Sequence, residues 1–146
     1  MKKIITTLIL LTSVQASATV NTWTRTWVQG VTEYRIQNKN GAELLLTCSP
    51  EDNVFVQYTS PDGQTLASGG DDGRSVQAQT GNSNTFLIND TLSDAGGSNF
   101  EAFWDAARKS HRIHITATGL TSTTFTFSNA GQILPEFDKS GCLTRM

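Results

Sequence analysis

The chain of 146 residues carries 11 basic and 13 acidic side chains, and 37% of it is hydrophobic. A net charge of −2 leaves no basic field for nucleic acid or for an anionic membrane surface. The length suits one domain, long enough to bury a core of its own.

The chain opens MKKIITTLILLTSVQASA. Lys2 and Lys3 precede a mainly apolar run from Ile4 to Val14, and Ala16-Ser17-Ala18 supplies the small-x-small pattern that a signal peptidase accepts. A spanning helix needs roughly 20 apolar residues, so the run is too short to anchor the chain. No cysteine follows the cleavage site to take a lipid. Residues 1–18 are therefore expected to be a secretory signal peptide, leaving residues 19–146 as a single domain in the periplasm or outside the cell. Removal of the two lysines takes the net charge to −4.

Next comes Trp23-Thr24-Arg25-Thr26-Trp27. In an extended chain Trp23, Arg25 and Trp27 share one face, a ladder able to stack a guanidinium between indoles. Tryptophan and arginine dominate interface energetics, so these three residues are the candidate binding site. The alternative is that the indoles simply cover a sheet while Arg25 snorkels outward.

Val31 to Gln37 (VTEYRIQ) alternates as a strand does, and Asn38-Lys39-Asn40-Gly41 is a turn. Ala42, Leu44, Leu46 and Cys48 then fall on one face of a second strand. Pro50 to Asn53 breaks the pattern before VFVQYTS, where Val54, Val56 and Tyr58 share a face. Pro61-Asp62-Gly63 turns the chain into a weaker strand, Gln64 to Ala67.

The stretch SGGDDGR, Ser68 to Arg74, follows. Adjacent aspartates point apart, unlike the alternating carboxylates of an EF-hand, and no Lys-Ser/Thr follows the glycines as in a P-loop. It reads as a solvated turn, with a weak calcium site at Asp71 and Asp72 as the alternative. Ser75 to Asn84 lacks large apolar residues and reads as an exposed edge strand or loop, whereas Thr85 to Ile88 is apolar.

SNFEAFWDAARKS is the strongest helical segment. Ser98 and Glu101 have capping-box spacing, and Phe100, Phe103, Trp104 and Ala107 form an apolar stripe at helical period. Arg108 and Lys109 suit its C-terminal dipole. HRIHITAT (His111 to Thr118) and TSTTFTFS (Thr121 to Ser128) read as strands. A short helix is expected from Leu134 to Lys139, with Pro135 in its first turn.

The two cysteines, Cys48 and Cys142, lie in the exported part, where an even count favours a disulfide. No C-x-x-C spacing points to a redox pair. His111 and His114, three residues apart on a strand, point to opposite faces and make a poor metal pair. No G-x-S-x-G elbow marks a nucleophile, and nothing in the spacing of the acids selects a catalytic pair. No catalytic residue, metal or cofactor is indicated.

From Ala42 onward the order of anchors is a Cys48 strand, VFVQY, the Asp-Asp-Gly turn, F-x-x-F-W, HRIHI, T-F-T-F and Cys142. This order resembles small exported bacterial β-sandwich proteins related to the invasion-associated locus B family, and periplasmic accessory proteins of type VI secretion systems. The aromatic that those families carry after the Asp-Gly turn is absent here. The resemblance implies paired cysteines, a scaffold role for the aspartate-glycine turn, and a non-enzymatic envelope protein whose partners are proteins. The expected fold is an antiparallel β-sandwich with one packed amphipathic helix and a short C-terminal helix. The expected role is binding or accessory work, with a secretion or conjugation apparatus or as an inhibitor of an envelope enzyme. The alternatives are a hydrolase with a dispersed site around His111 or His114 and a calcium-dependent carbohydrate binder.

Overall fold

A computed structural model describes residues 19–70, 72–82 and 84–145. The leader and Asp71 lie outside the described residues. Two antiparallel sheets face each other. The first is a meander of β1 (Thr24–Val28), β2 (Val31–Gln37), β3 (Glu43–Cys48), β4 (Phe55–Thr59) and β5 (Thr65–Ala67), in that spatial order. The second contains β6 (Val76–Thr80), β7 (Asn84–Leu87), β8 (Arg112–Ala117) and β9 (Thr123–Thr126), ordered β7-β6-β8-β9. SGGDDGR is the crossing from the edge of the first sheet into the second.

The sandwich follows from period-two patterning. Tyr34, Ile36, Leu44, Leu46, Val56 and Tyr58 are buried from the first sheet, and Val76, Ala78, Ile113, Ile115 and Phe125 from the second. The alternate positions of these strands turn away from the core. Helix α1 (Asp94–Arg108) packs on β6 and β7 and buries the expected stripe of Phe100, Phe103, Trp104 and Ala107. Trp104 meets Tyr34 of the first sheet edge-to-face, with ring centroids 4.9 Å apart. One aromatic cluster thus joins the helix to both sheets, which makes it the costliest part of the core to truncate.

Three local expectations differ. The segment after SGGDDGR is not an exposed edge: β6 is an interior strand, paired with both β7 and β8. Its inward residues Val76, Ala78 and Thr80 are small because α1 passes over this strand and its aromatics take the space.

Helix α1 begins earlier than its apolar stripe suggests. Its N-cap is Ser93, whose Oγ accepts from Gly96 N–H at 3.0 Å, so Ser98 and Glu101 are not a capping box. They lie inside the helix and receive the C-terminal segment: Arg145 donates to Ser98 Oγ at 2.9 Å and to Glu101 Oε1 at 2.6 Å, and Thr144 donates to the same oxygen at 2.7 Å.

The short C-terminal helix lies earlier than Leu134–Lys139: α2 spans Ala130–Ile133, and the expected segment holds only a 3₁₀ turn at Phe137–Lys139. Leu134 precedes a proline and is pushed into extended backbone, which ends α2. The freed carbonyls of Leu134 and Pro135 accept from Arg108 Nε and Trp104 Nε1.

Candidate functional site

The pairing of β1 with β2 places the stripe. Arg25 is opposite Tyr34 and Trp27 opposite Thr32, both inward-facing residues, so the stripe lies on the inner side of the first sheet. The three side chains then meet different surroundings. Trp23 is 1% exposed and lies edge-to-face on Phe127, with ring centroids 5.9 Å apart. The Arg25 guanidinium sits over the Tyr34 ring, 5.6 Å from its centroid, so it stacks on a tyrosine and the indole ladder does not form. Trp27 is 68% exposed. Of the two indoles, only Trp27 is available to a partner.

Trp27 lines a groove instead of packing into the core. The wall facing it is the C-terminal segment, held there by the Cys48–Cys142 disulfide, whose Cα atoms are 4.5 Å apart. Val54 N–H donates to Leu143 C=O at 2.8 Å and continues this attachment. The result is a groove of about 390 Å³ lined by Trp27, Thr32 and Cys48 of adjacent strands, by Pro50, and by Cys142 and Leu143 of the C-terminal segment. The disulfide therefore staples a fold and also builds a surface.

Two further concavities continue from the groove, the first sharing Gly30 and Pro50 with it and the second sharing Asp52 with the first. The last holds Phe55, 40% exposed, and Leu92, 61% exposed. One end of the sandwich thus presents a rim with an exposed indole at one side and two exposed apolar side chains at the other. Phe55 and Leu92 were not singled out from sequence. Phe55 alternates with buried Val54 and Val56, which marks it as outward-facing, and Leu92 stands alone among polar residues; both patterns could have flagged them.

SGGDDGR borders the same end. Asp72 accepts the Arg74 N–H at 3.1 Å and pairs with the Arg74 guanidinium, which together hold its carboxyl below the usual carboxylate range. The carboxylate is engaged within its own turn. Ser68 anchors the start of the loop by accepting Val56 N–H at 2.7 Å, and Asn89 anchors its end through Arg74 C=O and Val76 N–H.

The histidines lie apart from this rim. His111 is exposed, and His114 shares a 2.8 Å hydrogen bond with the Thr124 hydroxyl. Among the described residues no cluster of three or more His, Cys, Asp or Glu is placed to hold a metal, and no helix is long and apolar enough to cross a membrane.

Comparison with known protein families gives a match over most of the chain. A family model described as YfjT matches residues 21–134. The chain belongs to the YfjT family. The matched span covers both sheets and α1, including Trp23, Arg25, Trp27 and Cys48, and stops short of Cys142. Neither the curated proteins nor the solved structures give a match.

Proposed function

We propose that this YfjT-family chain is a periplasmic, non-enzymatic binding or accessory protein that works through protein contacts at the rim carrying Trp27. The observation that carries this reading is the 68% exposure of Trp27 on the wall of a groove built by the disulfide. Leaving a large indole in water forgoes roughly 1.5–3 kcal/mol of burial, and a tryptophan beside a concave apolar wall is the usual form of an interface hot spot. The export signal read at residues 1–18 supports an envelope location, and a disulfide persists there. The resemblance to envelope accessory proteins points to a partner that is itself an envelope or secretion-system protein.

The test is capture from the native periplasm with a photo-crosslinking residue at position 27 and, as a control, at outward-facing Thr116 on the second sheet. Specific adducts at position 27 only are expected. Trp27→Ala should weaken binding of the captured partner at least tenfold, about 1.4 kcal/mol, while the melting temperature holds. Equal adducts at both positions, or unchanged binding by folded Trp27→Ala, would remove the rim as the contact surface.

A further inference from the structure

The free edge of β1 carries an inference about a second copy of this chain; it stands on backbone geometry, and it engages Trp27, the residue that the rim also presents. Trp23 N–H and C=O both bond to the side chain of Asn129, at 3.0 and 2.9 Å. They therefore point away from β2. Backbone direction repeats every second residue along a strand, so the N–H and C=O of Arg25 and Trp27 point to the same free side. Among the described residues none of these four groups has a hydrogen-bond partner, and Arg25 to Val28 are all exposed. The other edges differ from it. β5 is three residues long, β7 packs against α1, and on β9 Asn38 donates to the Thr124 carbonyl at 3.4 Å.

We propose that β1 pairs with β1 of a second copy of this chain, antiparallel about a two-fold axis at Thr26, joining two five-stranded sheets into one. The sequence TRTWV selects this register. Centred on Thr26, Arg25 of each copy lies opposite Trp27 of the other, and these are the residues whose backbone groups face outward. Each such pair exchanges two hydrogen bonds, so every free group on both edges is satisfied. Each guanidinium also reaches an indole across the strands, a cation–π pair supplied twice by the symmetry. A register centred on Arg25 sets like charges opposite each other and offers Trp27 a Trp23 backbone that Asn129 already occupies. A register centred on Trp27 runs Arg25 into Gln29, whose φ of 50° belongs to the turn. The strand is thus complementary to itself in one register. Five residues make a small interface, well below the ~1,600 Å² of a standard one, so the dimer is expected to be concentration-dependent.

The experiment uses the full-length gene, with protein recovered from the periplasm. At the axis, Thr26 faces Thr26 as a non-hydrogen-bonded pair with a Cα separation of about 4.5 Å, within disulfide range. The Thr26→Cys variant is expected to form a cross-linked dimer under mild oxidation. Val28→Cys, also exposed but facing Thr24 of the other copy, is expected to remain mostly monomeric. Sedimentation of the unaltered protein should show a monomer–dimer equilibrium from micromolar to near-millimolar concentration. Arg25→Pro removes one outward N–H and the guanidinium while sparing the hydrogen bonds to β2, and should weaken the dimer at least tenfold. Arg25→Glu, which keeps every backbone group, serves if the proline variant fails to fold, and should also weaken it. A monomer throughout the concentration range, or cross-linking of Val28→Cys as fast as Thr26→Cys, would overturn the proposal.

Discussion

Asn129 treats the backbone of Trp23 as a neighbouring strand would, its Oδ1 accepting the N–H at 3.0 Å and its Nδ2 donating to the C=O at 2.9 Å. The pair ties the first residue before β1 to the segment after β9 and so closes one corner between the two sheets. Asn89 does the same for β6, taking Val76 N–H and Arg74 C=O. Asn38 holds its own turn through Asn40 N–H and Ala42 N–H and reaches across to Thr123. A two-sheet fold leaves strand ends whose polar groups have no ladder partner, and a carboxamide offers a donor and an acceptor in one plane. Here three asparagines close the ends, and the part of β1 that no asparagine reaches is the part left open.

Removal of the Trp23 clamp should therefore be costly. Asn129→Ala leaves a part-buried N–H and C=O without partners, a loss of about 1–3 kcal/mol. It should also raise amide exchange at Trp23 more than at Tyr34, which keeps its place inside the sheet. Chemical denaturation and hydrogen exchange measure both. An unchanged midpoint with unchanged Trp23 protection would show that the corner closes by packing of the indole on Phe127 alone.

What the sequence disclosed follows the same division between packing and polar detail. VTEYRIQ alternates without interruption, and the strand over Val31–Gln37 is the one expected. The stripe Phe100, Phe103, Trp104 and Ala107 is buried as its period implies, because aromatic burial at i, i+3, i+4 and i+7 outweighs any competing local preference. β6 was not legible, since its inner residues are small to accommodate a helix that arrives later in the chain. The helix start was hidden for a related reason. Two glycines normally argue against a helix, but here they admit other parts of the chain. The shared face of Trp23, Arg25 and Trp27 was readable from spacing alone, whereas which indole is covered depends on where Phe127 and Asn129 meet the first sheet, a long-range fact.

The two helix glycines are expected to respond differently to alanine. A Cβ on Gly96 would meet the Asp90 backbone oxygen at 2.3 Å and its carboxylate at about the same distance. Backbone cannot yield cheaply, so Gly96→Ala should destabilise by roughly 1–3 kcal/mol. A Cβ on Gly97 would meet Arg145 Cγ at 2.4 Å and Thr144 Cβ at 3.1 Å, and the former is a flexible side chain. Alanine also gains about 1 kcal/mol of helix propensity over glycine, which should bring Gly97→Ala close to neutral. Thermal melts of the two variants decide the matter. A larger loss at Gly97 would mean that the C-terminal segment stabilises α1 more than the Asp90 turn does.

The last expectation concerns alkaline pH and the only two tyrosines in the chain. Both rings are fully buried, with Tyr34 O–H donating to Ser140 C=O at 2.9 Å and Tyr58 O–H donating to Thr121 C=O at 2.6 Å. Burial disfavours the phenolate in each case. It pushes Tyr58 up to about 12, with the Asp62 carboxylate adding to the effect, and it raises Tyr34 while the Arg25 guanidinium pulls the other way. A group that holds its proton more tightly when folded stabilises the fold fully below its unfolded value of 10.0, and that contribution is lost as pH rises through the folded value. Stability is therefore expected to fall between pH 10 and about 12, with no phenolate forming near 10 while the sheets remain intact. Tyrosinate absorbance and circular dichroism, followed together against pH, should change in one step at the high end of that window. Arg25→Ala removes the cation over Tyr34 and should shift the Tyr34 ionisation higher still. An absorbance step near pH 10 worth one or both tyrosines, with native circular dichroism, would show that the rings reach water and that the core at β2 and β4 is looser than the packing implies.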